Sequence, residues 1–468
     1  MGALNRTGAL AGRVVGVYGS GGAPYPHLAY AAQHGASVRP VRAEDVHAGR
    51  LDRLDALVMP GGGLKAMAGL LAPLGAEGAA RIRRFVEEGG LYVSSCAGSV
   101  LPLALSGAAA EALPEAASMR MVEAPLANPG DATLGGLASP GVGRIRVRLD
   151  PASPLAAGVP EEVELVHYNG PFFADGDAAP APTPFAWPAA AERAFTPAER
   201  FLPGPDDGIT FDRCVADGAA GGLTARVGDG RAVVFGSHPE FGLGPLQLGW
   251  GPGARLLRNA LALAPARGRD DGGFGPWRPR PERPDAAPAA LAGDAAAALR
   301  ALARGFARLP ERSDSPWLDA DVAPSFHGSP PRELWRRDAA FAAEVADLAA
   351  DGTEALAASL GDGDRGWLDD LPRPDQDVGA MGLHQLVARA ASMRDRAEAR
   401  LDDPPERPAH AYDGLDAHPF HLAVGTYLSA AGLVAAAAQT VAILAAGHDE
   451  PLGGLDALLH DHRAEARP

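Results

Sequence analysis

Short apolar, β-branched runs alternate from Arg13 onward with stretches in which apolar residues recur every three or four positions. "RVVGVYG", "ASVRPVRA", "DALVMPGGG" and "GGLYVSSCAG" read as four strands, the last two running into glycine or a tight turn. Between the third and the fourth, "GAEGAARIRRFVEEGG" sets Ile82, Phe85 and Val86 on one side of a helix that stops at Gly89. Strands alternating with helices predict the α/β class, with a mostly parallel, doubly wound sheet covered on both faces. "GRIRVRLD" and "EVELVHYNGPFF" predict two more strands, and "GGLTARVGDGRAVVFGSHPEFG" a hairpin around Gly228, Asp229 and Gly230. A helix from about Gly253 to Ala264 closes this first domain, residues 1–264.

The pattern changes at Pro265. Residues 265–290 are so rich in proline, glycine and charge that they bury no core, and they read as a linker. Residues 291–468 then turn alanine-rich, with four helical stretches separated by proline-containing loops, which predicts a separate α-helical bundle domain. The last stretch, Pro419 to Gly447, has no Asp, Glu, Lys or Arg and is long enough to cross a bilayer. Its alanine, glycine, Thr426, Ser429 and Gln439 make it weakly hydrophobic, so a buried bundle or dimer helix is expected rather than a membrane span.

A length of 468 residues fits two or three domains. The net charge of −16 argues against nucleic acid or an anionic membrane as partner, because phosphates would be repelled. Lys65 is the sole lysine. With two cysteines, Cys96 and Cys214, there is no disulfide framework, and a reducing cytoplasm is the expected location. The N-terminal "MGALNRTGALAGRVVGVYG" has no long apolar core, so no signal peptide is expected.

Cys96 lies where a strand meets a helix start, among the small residues Ala97, Gly98 and Ser99, as a strained nucleophile turn requires. A helix N-terminus there would favour the thiolate. A cysteine at a strand end can equally be buried filler. "GSHPEFG" supplies His238 as a base for a thiol and Glu240 as a carboxylate to orient it. "VMPGGG", ending at Gly63, can point amides at a developing oxyanion, with the Ala97 amide as second donor.

In order and approximate spacing, "VMPGGG", "VSSCAGS" and "GSHPE" resemble the class I glutamine amidotransferase-like fold. With "FVEEGGLYVSSCAGS" and "VHYNGPFF", the form is similar to the amidotransferase-like domain of the biotin-protein ligase N-terminal family, over roughly Arg13 to Ala264. The resemblance implies a flavodoxin-like sheet, Cys96 as nucleophile, His238 as base and Glu240 as its orienting acid. It also implies an oxyanion hole from Gly62 and Ala97, and substrate contacts from Gly61, Gly63, Tyr168 and Asn169. Glutaminase domains carry glutamine four residues after the nucleophile, where this chain has Val100.

The function expected is a cysteine-dependent amidase, hydrolase or amidotransferase-like enzyme that acts on a small amide or carboxyl-derived substrate through a thioester. The alternative is an inactive binding or regulatory module whose helical domain serves a second copy or a partner protein. No cofactor is expected. His384, His418, His421 and His448 suggest metal ligation, but Pro419 interrupts "HPFH" and no Glu-x-x-His pattern supports them, so no metal site is expected.

Overall fold

A computed structural model describes residues 8–22, 25–62, 66–130, 136–138, 141–176, 181–191, 196–197, 210–241, 252–267, 285–312, 331–365, 368 and 382–402, with scattered positions from 430 to 455. The chain opens with β1 (Val14–Tyr18), α1 (Tyr25–Gln33), β2 (Ser37–Val41), α2 (Ala43–His47), β3 (Ala56–Met59), α3 (Ala66–Leu71), α4 (Gly75–Glu87), β4 (Leu91–Ser95) and α5 (Ala97–Val100). After α6 (Gly107–Ala112) come β5 (Gly141–Leu149), β6 (Glu162–Tyr168), β7 (Thr183–Ala191), β8 (Thr196–Pro197), α7 (Phe211–Ala216), β9 (Gly222–Val227), β10 (Gly230–Phe235) and α8 (Pro252–Ala262).

The described strands form one sheet in the order β2-β1-β3-β4-β10-β9-β7-β5-β6, with β8 beside β5. The five strands from β2 to β10 pair in parallel, while β9, β7, β5 and β6 pair antiparallel. Among the described strands only β9 and β5 run against the common direction. The expected parallel sheet is therefore the half that carries β1, β3, β4 and β10, and an antiparallel extension follows it.

The parallel half is covered on both faces because its strands alternate between two cores. Val15, Val17, Ala56, Val58, Leu91, Val93, Val233 and Phe235 join α1 and α8 on one face. Tyr18, Leu57, Met59, Tyr92, Ala232 and Val234 join α2, α3 and α4 on the other. Arg13 ties the two ends of this unit together, donating from Nε to the Ala264 carbonyl at 3.0 Å and from Nη2 to that of Ala262 at 3.0 Å.

The antiparallel half curls. His238, just past β10, forms an antiparallel bridge with Val166 of β6, and its amide donates to the Val166 carbonyl at 2.8 Å. The outermost strand thus returns to the end of β10, as a twisted sheet does when it rolls toward closure. Tyr168 and Asn169 are thereby delivered to the carboxyl-terminal edge of the parallel strands, where open α/β sheets place their sites.

Three long helices follow: α9 (Pro288–Arg308), α10 (Pro331–Leu356) and α11 (Leu383–Asp402). α9 packs against both others. Ala430, Val434, Ala437, Ala438, Val441, Leu444 and Ala445, spaced as one helical face, are buried in the same core. Among the described residues no helix is long and apolar enough to cross a membrane. This core is continuous with the sheet: Val166 belongs to it, and Tyr168 and Phe241 pack against it.

Candidate functional site

β4 ends in a sharp turn. Cys96 has φ 49° and ψ −122°, a conformation that costs a non-glycine residue about 1–3 kcal/mol unless its surroundings enforce it. Several contacts enforce it here. The Cys96 amide donates to the Phe235 carbonyl at 2.9 Å, the Ser99 hydroxyl to the same carbonyl at 2.8 Å, and the Tyr92 hydroxyl to the Gly98 carbonyl at 2.7 Å. Gly98 is required by close approach: a Cβ there would lie 2.5 Å from the Met59 carbonyl oxygen and 2.6 Å from that of Pro60. The small residues after Cys96 thus let α5 settle onto the end of β3.

The thiol is half-buried and lies 3.4 Å from the Tyr168 carbonyl. α5 spans only four residues, Ala97 to Val100, so little helix dipole reaches Cys96 and the expectation of activation by a helix N-terminus is corrected. The neighbouring charge comes from His238, whose ring shares the Gly61 face with Cys96 and whose Nδ1 lies 2.7 Å from Glu240 Oε1. Phe241 stacks on that ring with centroids 4.4 Å apart and a 9° interplanar angle.

Burial favours a neutral His238, but Cys96 and then Glu240 outweigh it and raise the ring from 6.5 to about 10. Burial would likewise raise Glu240, yet the opposing charges of His27 and His238, with hydrogen bonds to the carboxylate, bring it to about 2. A carboxylate behind an imidazolium beside a sulfur is the arrangement a thiol nucleophile needs.

Of the other expected site residues, Gly61 faces both Cys96 and His238: a Cβ there would lie 3.5 Å from Cys96 Cβ and 2.8 Å from the ring Cε1. Gly62 forms an antiparallel bridge with Gly22, and Ala97 is the first residue of α5. Asn169 is buried with φ 52°, its amide donating to the Gly141 carbonyl at 3.1 Å. Gly63 lies outside the described residues, as do His418, His421 and His448. His384 lies in α11, and among the described residues no group of three or more His, Cys, Asp or Glu could hold a metal ion.

The sequence reading did not single out His27, Ser95, His167 or Ser237. His27 Nε2 lies 3.6 Å from Glu240 Oε2, and the Ser95 hydroxyl donates to Glu240 Oε1 at 2.9 Å. His167 contacts the Ser237 hydroxyl at 3.1 Å and stacks on Phe172. Burial, with a smaller effect from His238, lowers it to about 3, so it is neutral. The available signal was position, since Ser95 and Ser237 sit where parallel strands end and His27 follows the turn after β1.

No family model matches the chain, and no curated protein matches it. Two solved structures match part of the chain. A protein described as a candidate GMP synthase component from Thermoplasma acidophilum is 12% identical, with 54% of this chain and 94% of its own covered and a TM-score of 0.33. A cytoplasmic protein from Salmonella typhimurium is 11% identical, with 54% and 98% covered and a TM-score of 0.34.

Val100 is the residue where the sequence resemblance would call for a glutamine. Here its side chain is fully buried in the core with α3 and α4, turned away from solvent. Cys214, on α7, is buried, and burial with Asp217 raises it to about 11. It plays no part in the cluster around Cys96.

Proposed function

We propose that the chain is a cysteine-dependent hydrolase or amidotransferase-like enzyme of the class I glutamine amidotransferase-like type, closest to the biotin-protein ligase N-terminal form, acting on a small amide or carboxyl-derived substrate. The observation that carries this reading is the cluster of half-buried Cys96 on a strained elbow, His238 beside it across Gly61, and Glu240 at 2.7 Å from the ring's Nδ1.

In this mechanism Cys96 Sγ attacks the substrate carbonyl carbon while the thiol proton resides on His238, whose Nδ1 stays on Glu240. The Gly62 and Ala97 amides receive the developing oxyanion. Collapse of the tetrahedral intermediate breaks the C–N bond, and His238 delivers its proton to the leaving amine. Water, deprotonated by the same ring, then attacks the thioester carbonyl and releases the acid and the thiol. An amine in place of water gives transfer.

The buried Val100 argues for a substrate other than free glutamine. Residues 1–264 form the amidotransferase-like domain in this reading, 265–290 the linker, and 291–468 a helical bundle domain whose core reaches Tyr168 and Phe241 and so bounds what can approach the thiol.

The test is ammonia or amine release from a panel of small amides by the full chain, with trapping of an acyl adduct on Cys96. Turnover lost in Cys96→Ala supports the reading. An amide bound without turnover, beside an unmodified Cys96, favours a binding module instead.

A further inference from the structure

We infer that His27 and Ser95 are positioning residues that clamp Glu240 from behind, so that the carboxylate stays aimed at His238 Nδ1; the inference rests on the proposed roles of Cys96, His238 and Glu240. The two oxygens of Glu240 face different groups. Oε1 lies 2.7 Å from His238 Nδ1 and accepts from the Ser95 hydroxyl at 2.9 Å. Oε2 lies 3.6 Å from His27 Nε2, which is itself 3.4 Å from the Ser95 hydroxyl.

Four buried side chains from three parts of the fold therefore meet at one carboxylate: His27 from α1, Ser95 from the end of β4, and His238 and Glu240 from the turn after β10. α1 packs directly on that turn, at residues 239–241. Glutamate has one more rotatable bond than aspartate, and a carboxylate held by His238 alone could pivot about that single contact. A second pair of contacts, approaching from the other side, removes the pivot.

The arrangement also answers an electrostatic need. A buried carboxylate is costly unless polar groups surround it, and here the Ser95 hydroxyl donates to Oε1 while a His27 ring nitrogen lies 3.6 Å from Oε2. A histidine serving only as core filler would have no reason to place a ring nitrogen at this carboxylate. The titratable groups around the clamp are Cys96, His238, Glu240 and His167, the last of which is neutral.

The experiment follows alkylation of Cys96 by iodoacetamide against pH in the full chain, comparing the unmodified protein with His27→Gln, Ser95→Ala and His238→Gln, each checked for folding by circular dichroism. In this account His238→Gln slows alkylation at about pH 6 by roughly a hundredfold. His27→Gln and Ser95→Ala slow it about five- to tenfold there and rejoin the unmodified rate only above about pH 10, where His238 has lost its proton.

Profiles for His27→Gln and Ser95→Ala that overlay the unmodified chain, with His238→Gln still slow, overturn the clamp alone. A loss of equal size at every pH also overturns it, because that marks a general structural effect. An unchanged profile for His238→Gln overturns the clamp together with the reading of the site. If His27→Gln does not fold, Ser95→Ala carries the same comparison.

Discussion

Gly61 and His238 meet so closely that a methyl group at position 61 would lie 2.8 Å from the ring's Cε1. The ring cannot retreat without cost, since Phe241 stacks on one face and Glu240 holds Nδ1. The loop after β3 therefore shapes the site through the side chain that Gly61 lacks. Gly61→Ala is expected to displace His238 and lower Cys96 alkylation at about pH 6 by tenfold or more, with the circular dichroism spectrum unchanged. A rate equal to that of the unmodified chain would show that the ring has room to spare.

The two cysteines are expected to behave as opposites. Cys96 is half-buried beside an imidazolium, whereas Cys214 is enclosed and pushed up to about 11. At pH near 7.5, mass spectrometry after brief haloacetamide treatment should find one adduct on the folded chain and two on the unfolded chain. Cys96→Ala should remove the native adduct.

Titration of the His238–Glu240 pair ties stability to pH in two windows. Glu240 is lowered from 4.5 to about 2, so its contribution is present above pH 4.5 and is lost as the pH falls toward 2. His238 is raised from 6.5 to about 10, so its contribution is complete below pH 6.5 and is lost as the pH rises through 10. Urea midpoints should therefore decline in both windows, and His238→Gln should flatten the alkaline decline. An alkaline decline of the same size in His238→Gln would assign it to other groups.

Val100→Gln recreates the residue that glutaminase domains carry, but at a fully buried position. A buried amide without partners costs about 1–3 kcal/mol. The expected outcome is a melting temperature lower by several degrees and no gain in glutamine hydrolysis. A stable variant that hydrolyses glutamine would mean that α5 can turn this side chain toward the site.

The parallel half of the sheet was legible because its strands are short apolar runs closed by glycine, and β1, β2, β3, β4 and the β9–β10 hairpin lie within the predicted stretches. β7 was not. Pro184 and Pro188 argue against an interior strand, which needs both backbone groups. The sheet accommodates them with register shifts beside Pro184 and at Arg146/Val147, opposite Pro188. α1 also escaped notice, because "YPHLAYAAQ" has no acidic residue in its first turn and no basic residue in its last.

The placement of Cys96, His238 and Glu240 at one sheet edge was legible because Cys96 directly follows β4 and the other two lie in the turn after β10, both strands of the parallel half. His27 was not, since nothing local distinguishes a histidine behind a carboxylate from one in a core, and only the fold brings α1 against the turn after β10. The curl that returns Val166 to His238 was equally hidden, because it depends on accumulated twist rather than on any one motif.

The most direct test of the account compares haloacetamide labelling of the unmodified chain and His238→Gln at about pH 6, with the modified residue mapped by peptide mass spectrometry. The account predicts one adduct, on Cys96, formed at least tenfold more slowly in the variant. Equal rates in the two proteins, or an adduct at another residue, would contradict it.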